Sequence, residues 1–341
     1  MRAAELIAPR TFRPAEMPIE DPGPGEVQVR IEAVGVCGSD LHAYAEGAVG
    51  STPNAYPMVL GHEPAGLIVK TGAGVTGLAP GDRGALEPAL YCYHCEFCLT
   101  GHHNVCANIR FLSTPHHPGF FRELVNLPAV NFKPIPAEIS FDAATLAEPL
   151  AIAMHSLRLT SVREGESVAV IGAGPIGLMT IAALRAAGAG KIWAVEPLAY
   201  RRELALAIGA GAALEPGEAL EEILRATGQR GVDCAIDCAA ASESTNQAVL
   251  LARNAGRVAL TGIHSTQFVS LDGSAMRRKE LTIFNVRRSN HETDEAVELL
   301  RTNASWFAPM LTHARPLDRI DEAFAIASQY QDGVGKMIVR P

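Results

Sequence analysis

The sequence has no excess of basic residues, no run of like charges and no internal repeat. Lys and Arg total 29 against 37 Asp and Glu, which gives a formal net charge of −8. A nucleic-acid-binding surface needs a basic stripe that neutralises phosphates, so this balance excludes nucleic acid as a partner. The 31 glycines and 22 prolines are dispersed along the chain. They therefore mark turns rather than a low-complexity tract.

Long apolar segments are also scarce. The first residues alternate charged and apolar side chains, which leaves no apolar core for a signal peptide. Residues 167–184 form a stretch of 18 without charge. Glycines and a proline interrupt its first half, as in a turn between a strand and a helix, which argues against a membrane span. We therefore predict a soluble, cytoplasmic protein with no membrane partner.

Cysteines are few and unevenly placed. The chain has 341 residues, 48% of them apolar, and seven cysteines. At about 150 residues per domain this length predicts two domains, each large enough to bury a core without disulfides. Four of the seven cysteines fall between positions 92 and 106. In a chain without a secretion signal, such crowding indicates metal binding.

The two halves of the sequence differ in their hydrophobic periodicity. Residues 26–33 alternate apolar and polar side chains, which predicts a half-buried strand in a β-rich first domain. From about residue 149, apolar strand-like runs alternate with helical ones, which predicts a doubly wound parallel sheet with helices on both faces. The predicted strands are 168–171, 192–195, 232–236, 258–260 and 281–285, the helices 176–187, 201–208 and 246–253, followed by a helix at 294–301 and a strand at 336–339.

A glycine-rich turn follows the first strand of this second region. Gly172, Gly174 and Gly177 form the pattern G-x-G-x-x-G, with Pro175 and Ile176 at the start of the next helix. In this pattern the first glycine makes the tight turn, the second admits a pyrophosphate and the third packs the helix closely on the strand. The phosphates would lie at the helix N-terminus, so these five residues predict a dinucleotide site.

The end of the next strand distinguishes the possible dinucleotides. Glu196 lies about 20 residues beyond the last glycine, where a carboxylate accepts hydrogen bonds from a ribose diol. It would repel a 2′-phosphate, so NAD is favoured over NADP. Arg201 and Arg202 are near enough in sequence to hold a phosphate, although Arg202 equally fits a solvated position on an amphipathic helix.

The cysteine-rich segment matches a zinc site. Cys92, Cys95, Cys98 and Cys106 have the spacing C-x2-C-x2-C-x7-C, short enough to wrap one tetrahedral ion. Four thiolates leave no open coordination position, so this zinc would be structural and would organise a segment that lacks apolar periodicity. Three neighbouring histidines are alternative ligands: His94, His102 and His103.

Three further candidates lie far apart in the sequence. Cys37 follows the alternating strand, His62 stands in Gly-His-Glu-Pro, and Glu148 in Ala-Glu-Pro-Leu. Taken singly, each also fits an ordinary role as a buried cysteine, a turn histidine or an acidic residue at a helix start. Periodicity does not group them.

Over essentially its whole length, the chain resembles the zinc-dependent medium-chain dehydrogenases/reductases. The resemblance is carried by Cys-Gly-Ser-Asp at 37–40, Gly-His-Glu at 61–63, Gly-Asp-Arg at 81–83, the cysteine segment and the glycine-rich turn. It implies a GroES-like catalytic domain over 1–148 and 287–341, with a zinc lobe at about 91–107. It also implies a Rossmann domain over 149–286.

The resemblance further implies a catalytic zinc, and thus two zinc ions per chain. Cys37 and His62 would bind it, and Glu148 in Glu-Pro-Leu is similar to the matching residue of sorbitol and other polyol dehydrogenases. Glu63 is a competing carboxylate, either as a direct ligand or as a support for the ligands. Ser39 and His42, at matching positions, would relay the substrate's proton to solvent.

Two positions depart from the family pattern. Gly84 stands where many relatives have Val, and Ser289 where animal sorbitol dehydrogenases carry Tyr. The neighbouring Arg288 is a candidate for holding a further substrate hydroxyl, or is simply a solvated arginine.

These residues together predict an NAD-dependent zinc enzyme that oxidises a secondary alcohol of a polyol or sugar derivative to a ketone. Alternatives are an L-threonine 3-dehydrogenase-like or general secondary-alcohol dehydrogenase; the threonine enzymes typically have Asp where this chain has Glu148. A non-catalytic NAD-binding protein would be expected to lack zinc ligands, and Cys37, Ser39 and His62 are all present. Relatives are usually homodimers or homotetramers, paired through the strand that matches 281–286.

Overall fold

The protein is described from a computed structural model that covers residues 1–341. The strands are β1 Arg2–Ala8, β2 Thr11–Glu16, β3 Glu26–Gly35, β4 Ala48–Val49, β5 Thr52–Pro53, β6 Met58–Val59, β7 Glu63–Thr71, β8 Arg83–Leu86, β9 Ala89–Leu90, β10 Arg110–Phe111, β11 Leu124–Pro128, β12 Phe132–Pro134, β13 Val168–Ile171, β14 Ile192–Val195, β15 Ala212–Leu214, β16 Val232–Asp237, β17 Ala252–Leu260, β18 Thr282–Asn285, β19 Leu311–Pro316 and β20 Lys336–Arg340. The helices are α1 Gly38–Glu46, α2 Glu96–Leu99, α3 Phe141–Ala144, α4 Ala147–Thr160, α5 Pro175–Ala186, α6 Ala199–Ile208, α7 Pro216–Ala226, α8 Ser242–Leu251, α9 Gly273–Lys279, α10 Thr293–Thr302, α11 Ala304–Phe307 and α12 Ile320–Ser328. None of these helices has the length and apolar composition needed to cross a membrane.

The chain forms two compact units. Unit 1 comprises Met1–Glu148, Thr293–Ala304 and Leu311–Pro341, and unit 2 comprises Pro149–Glu292 and Ser305–Met310. The family resemblance predicts that the chain returns to the first domain at residue 287, whereas the chain re-enters unit 1 at Thr293. The reason is a buried contact inside unit 2: Glu292 Oε1 lies 2.9 Å from His155 Nδ1 and holds the intervening segment there.

The core of unit 1 is a seven-stranded sheet. Its strand order is β12-β8-β7-β3-β20-β19, and β11 also pairs with β3. The alternation in residues 26–33 predicts that one face of β3 is exposed, but this is wrong for Gln28, which is buried. Its side-chain amide donates to the carbonyl of Glu20 and to Oδ1 of Asn126, both at 3.0 Å, because β3 lies inside the sheet.

Unit 2 contains a six-stranded parallel sheet of order β15-β14-β13-β16-β17-β18. Counted within the unit, this is the 3-2-1-4-5-6 order of a doubly wound dinucleotide-binding fold. The predicted fold is confirmed. Strands β13 and β14 are buried throughout, which explains their uninterrupted apolar sequences. The helix predicted at 246–253 ends earlier, at Leu251, because a continuous apolar run does not show where a helix gives way to a strand.

Candidate metal centres and dinucleotide loop

The four cysteines of the segment 92–106 converge in unit 1. Their sulfur atoms all lie within 4.8 Å of one another. Cys92 Sγ is 3.4 Å from Cys106 Sγ and 4.0 Å from Cys98 Sγ, and Cys95 Sγ is 3.9 Å from Cys106 Sγ. A zinc tetrahedron with Zn–S bonds of about 2.3 Å has edges of about 3.8 Å. The cluster therefore has the dimensions that a four-thiolate zinc site requires.

The surroundings of these sulfurs differ from one to the next. A backbone hydrogen bond from His94, opposed by burial, lowers the pKa of Cys92 to about 5. Burial raises the pKa of the Cys98 thiol to about 12, and the adjacent thiols act in the same direction. The Cys92 sulfur also accepts from Asn108 Nδ2 at 3.5 Å, and Cys106 Sγ accepts from the Cys92 amide at 3.4 Å. Such N–H···S contacts support thiolate ligands.

A second cluster in unit 1 contains Cys37, His62 and Glu63. One potential ligand atom from each lies within 4.8 Å of the others. Cys37 immediately precedes α1 at the end of the loop after β3, and Glu63 begins β7 opposite Gly35 of β3. The pairing of β3 with β7 thus places the first residues of β7 beside the residues that follow β3, although the two segments are separate in sequence.

Asp40 orients His62 in this cluster. Asp40 is buried, and its Oδ1 lies 3.3 Å from His62 Nδ1. The carboxylate also accepts from the Cys37 amide at 3.1 Å, the Gly61 amide at 3.2 Å and Ser113 Oγ at 3.2 Å. Because Nδ1 lies beside Asp40, Nε2 is the ring nitrogen that would serve as a metal ligand. This role of Asp40 was not predicted from the sequence, where the available signal was an acidic residue three positions after Cys37 at the start of a helix.

The charges around His62 favour a positive group. Although burial lowers the pKa of His62, the charges of Asp40 and Cys37 raise it well above its usual value. For Asp40 the effects have the opposite signs. Burial raises the pKa of this carboxyl, but the charge of His62 and the backbone N–H donors bring the pKa below its usual value. The site therefore provides a sulfur, a nitrogen and carboxylate oxygens in surroundings that stabilise a cation, a donor set that suits zinc.

The structure groups Glu63, rather than Glu148, with Cys37 and His62. Glu148 is the second residue of α4 and is buried, but it is outside the group of atoms within 4.8 Å. Glu63 is also buried, and its Oε2 contacts Lys336 Nζ of β20. Lys336 was not singled out in the sequence, because a lysine in a short apolar strand gives no signal of its partner.

The two residues predicted to relay a proton both lie on α1. Ser39 Oγ is 3.4 Å from His62 Nε2, so its hydroxyl stands beside the ring nitrogen that would serve as a metal ligand. His42 lies one turn further on, with 33% of its side chain exposed, and its Nδ1 is 2.8 Å from Glu46 Oε1. Helix α1 thus carries one group at the cluster and one that reaches solvent.

The glycine-rich turn of unit 2 joins β13 to α5. Gly172 has φ +91°, and a Cβ there would lie 2.9 Å from the Ala239 amide nitrogen. A Cβ at Gly177 would overlap the carbonyl oxygen of Gly172. Gly174 precedes α5, with Pro175 as the first helical residue and Ile176 next, and its own Cβ would meet only Arg201 Nη1, at 3.7 Å. Gly172 and Gly177 therefore allow close packing of the backbone, and Gly174 leaves space beside the N-terminus of α5.

Glu196 lies at the end of β14 beside this turn. It is buried, its Oε2 accepts from the Ala173 amide at 2.8 Å and its Oε1 from the Leu198 amide at 3.1 Å. Each oxygen keeps a lone pair for a further donor. Arg202 donates to the carbonyls of Glu196 and Pro197, both at 2.8 Å, and to Glu215 at 2.8 Å. Its guanidinium is thus engaged within the protein.

Arg288 belongs to unit 2, between β18 and α10. Its backbone has φ +55°, in the left-handed region, and the buried Glu292 accepts from the Asn290 amide two residues later. The segment that carries Arg288 is thereby fixed at its far end.

Two family models match the chain. Residues 23–137 match the alcohol dehydrogenase GroES-like domain, and residues 175–302 match zinc-binding dehydrogenase. Sorbitol dehydrogenase of Bacillus subtilis is 32% identical over 100% of this chain and 97% of the relative. L-threonine 3-dehydrogenase of Pyrococcus abyssi is 34% identical over 91% of this chain and 90% of the relative. A crystal structure of a zinc-binding dehydrogenase from Sinorhizobium meliloti, bound to NADP, has a TM-score of 0.91, 30% identity and coverage of 100% and 99% of the two chains.

Proposed function

Because the chain belongs to the zinc-dependent medium-chain dehydrogenases, in their sorbitol/polyol dehydrogenase group, we propose that it oxidises a secondary alcohol of a polyol or sugar derivative with NAD+. The reaction transfers a hydride from the carbinol carbon to the nicotinamide and releases the hydroxyl proton, which yields a ketone, NADH and H+. The observation that carries this proposal is the buried cluster of Cys37, His62 and Glu63.

These three residues would hold the catalytic zinc, and the four cysteines of the lobe a second, structural zinc. When bound, the catalytic ion acts as a Lewis acid and lowers the pKa of the alcohol oxygen. Asp40 lies beside Nδ1 of His62 and would stabilise the ring electrostatically. We assign the third protein ligand to Glu63 rather than to Glu148, since Glu63 shares the cluster. Glu148 is then available, as a buried carboxylate at the start of α4, to support that site.

The proton leaves through groups on α1. Ser39 would accept it from the substrate hydroxyl and pass it on, and His42 would deliver it to solvent, because an imidazole can both accept and donate a proton and 33% of this side chain is exposed. The contact of His42 Nδ1 with Glu46 Oε1 supports this assignment, since it holds the imidazole ring on the exposed side of α1.

NAD would bind at the C-terminal edge of the unit 2 sheet. Its pyrophosphate would lie against Gly174 at the start of α5, with Pro175, Ile176 and Arg201 alongside. Glu196 would accept both hydroxyls of the adenosine ribose. A carboxylate at that place disfavours a 2′-phosphate, and the engaged guanidinium of Arg202 is not placed to offset it.

We also propose a homodimer or homotetramer in the cytoplasm. Strand β18 pairs with β17 on one side only and ends the unit 2 sheet, so a second copy could extend the sheet there. Four zinc-binding thiolates fit a reducing compartment. Light scattering after gel filtration tests the assembly; a monomer at micromolar concentration contradicts it.

A substrate screen tests the main proposal. Purified enzyme with zinc and NAD+ is assayed for NADH absorbance with polyols, sugar acids and simple secondary alcohols, each at the same concentration. Threonine is included because a threonine dehydrogenase relative is 34% identical. We expect turnover with a polyol or sugar-derived alcohol. Turnover with threonine alone would support the second candidate, and no turnover with any alcohol would contradict both.

A further inference from the structure

Two buried, oppositely charged side chains in unit 1 contact each other across a strand of the central sheet. Lys336 of β20 reaches past β3 to contact Glu63 at the start of β7, and the two side chains are 0% and 1% exposed. Gly35 of β3 lies between the two strands that carry this pair, because it is paired with Glu63 of β7 on one side and with Ile338 of β20 on the other. Burying an ion pair is seldom a gain in stability over apolar packing, so the pair calls for another purpose.

Gly35 supplies the space for this pair. A Cβ there would overlap Glu63 Oε2 and lie 2.7 Å from Lys336 Cε. Gly35 ends an ordinary strand, and its φ lies outside the left-handed range that would itself require glycine. Its lack of a side chain therefore serves the contact of Lys336 with Glu63.

The contact engages one oxygen of a carboxylate that also belongs to the cluster with Cys37 and His62. A carboxylate with both oxygens free can bind a metal through both, which would fill the coordination position that a substrate needs. The ammonium cation on Oε2 would repel a metal cation from that oxygen, which leaves Oε1 for the metal.

We propose that Lys336 is a positioning residue that limits Glu63 to one metal-binding oxygen and so keeps one coordination position open for substrate. The inference rests on the proposed ligand set of Cys37, His62 and Glu63. A purely structural role for the pair would affect stability but would leave the open position unchanged.

The first test removes the charge. Lys336→Met keeps the length of the side chain and leaves Glu63 buried without its counter-ion. Lys70→Met is the matched control, because Lys70 pairs with Asp21 on the surface, with exposed fractions of 56% and 81%. In metal-depleted protein we expect the melting temperature of Lys336→Met to fall by about 6 to 20 °C and that of Lys70→Met by less than about 2 °C.

The second test separates positioning from stability. Cobalt-substituted protein is titrated with imidazole, a small ligand for an open metal position, and the visible absorption is followed. The closed four-cysteine site does not respond, so any change reports the other site. We expect wild type and Lys70→Met to bind imidazole, and Lys336→Met to keep two metal ions per chain but bind imidazole at least tenfold more weakly.

The conservative and compensating variants complete the design. Lys336→Arg should keep the wild-type imidazole response, and Lys336→Met combined with Glu63→Gln should melt higher than Lys336→Met without metal, because neither charge is then buried alone. Imidazole binding by Lys336→Met at wild-type strength, or loss of its second metal, overturns the inference. Glu63→Gln that still holds two metal ions would instead show that the proposed ligand set is wrong.

Discussion

The glycine-rich turn offers a comparison of two identical substitutions three residues apart. In Gly177→Ala the new Cβ overlaps the carbonyl oxygen of Gly172 and lies 2.9 Å from its carbon. The backbone must move to relieve this contact, which lowers the free energy of unfolding by about 3 kcal/mol. The higher helix propensity of alanine raises it by about 1 kcal/mol. The net loss of about 2 kcal/mol corresponds to a fall of about 4 to 8 °C in melting temperature for a unit of this size.

Gly174→Ala should leave the stability of the protein nearly unchanged and should instead weaken cofactor binding. Its backbone, at φ −67°, suits alanine, and the nearest atom to the new Cβ is Arg201 Nη1 at 3.7 Å. The loss of a favourable N-cap residue, up to about 1 kcal/mol, is offset by the reduced freedom of the unfolded chain, so the melting temperature should stay within about 2 °C. The methyl group would, however, occupy the approach of the pyrophosphate and weaken NADH binding about 10- to 100-fold.

Both variants are measured by thermal unfolding without cofactor and by fluorescence titration with NADH. The reasoning is refuted if the two proteins melt alike, or if Gly174→Ala binds NADH as tightly as wild type.

Four other changes test the remaining assignments. Ser39→Ala should lower kcat about 100-fold with unchanged NAD+ affinity, by stopped-flow and binding assays; normal turnover excludes the relay. Glu196→Ala should raise the KM for NAD+ about 10- to 100-fold and narrow the preference over NADP+, and unchanged kinetics with both would refute the ribose assignment. Cys95→Ser should remove one zinc ion per chain, measured by elemental analysis, and lower the melting temperature. Burial raises the pKa of Asp233, but its arginine partners hold that pKa well below its usual value. Asp233→Asn should therefore cost about 1.5 to 3 kcal/mol at pH 7 and progressively less below about pH 4, where the unfolded chain binds a proton that the native carboxylate does not; a pH-independent difference contradicts this.

Four of the six strands of unit 2 could be predicted to within one residue at each end, whereas β17 begins six residues before its predicted start and β15 was not predicted. Strands β13 and β14 begin and end where the sequence analysis placed them, because buried parallel strands are short apolar runs between turn residues. The dinucleotide loop was equally predictable, since its chemistry lies within one local pattern. The convergence of the four cysteines could also be predicted, because residues this close in the sequence cannot be far apart in space.

The second cluster could not be assembled from local patterns. Cys37 and Glu63 meet through the register of β3 with β7, and that register depends on the packing of a whole sheet. The family resemblance supplied Cys37 and His62, but left Glu63 and Glu148 as alternatives. The contact of Lys336 with Glu63 could not be predicted either, because the two residues are far apart in the sequence and meet only through the pairing of strands.

The place of β20 has a consequence for how the protein is made. Strand β20 is synthesised after the whole of unit 2, yet it is inserted next to β3, an early strand, and carries the counter-ion of Glu63. During synthesis unit 2 is nearly complete before unit 1 can close, so Val34 and Gly35, which lie beyond the part of β3 that pairs with β11, stay without β20 while unit 2 is added. A chain cut off before β20 would thus lose a strand from inside its first sheet rather than a frayed end, and nascent chains stalled before β20 should be prone to aggregation through the exposed part of β3.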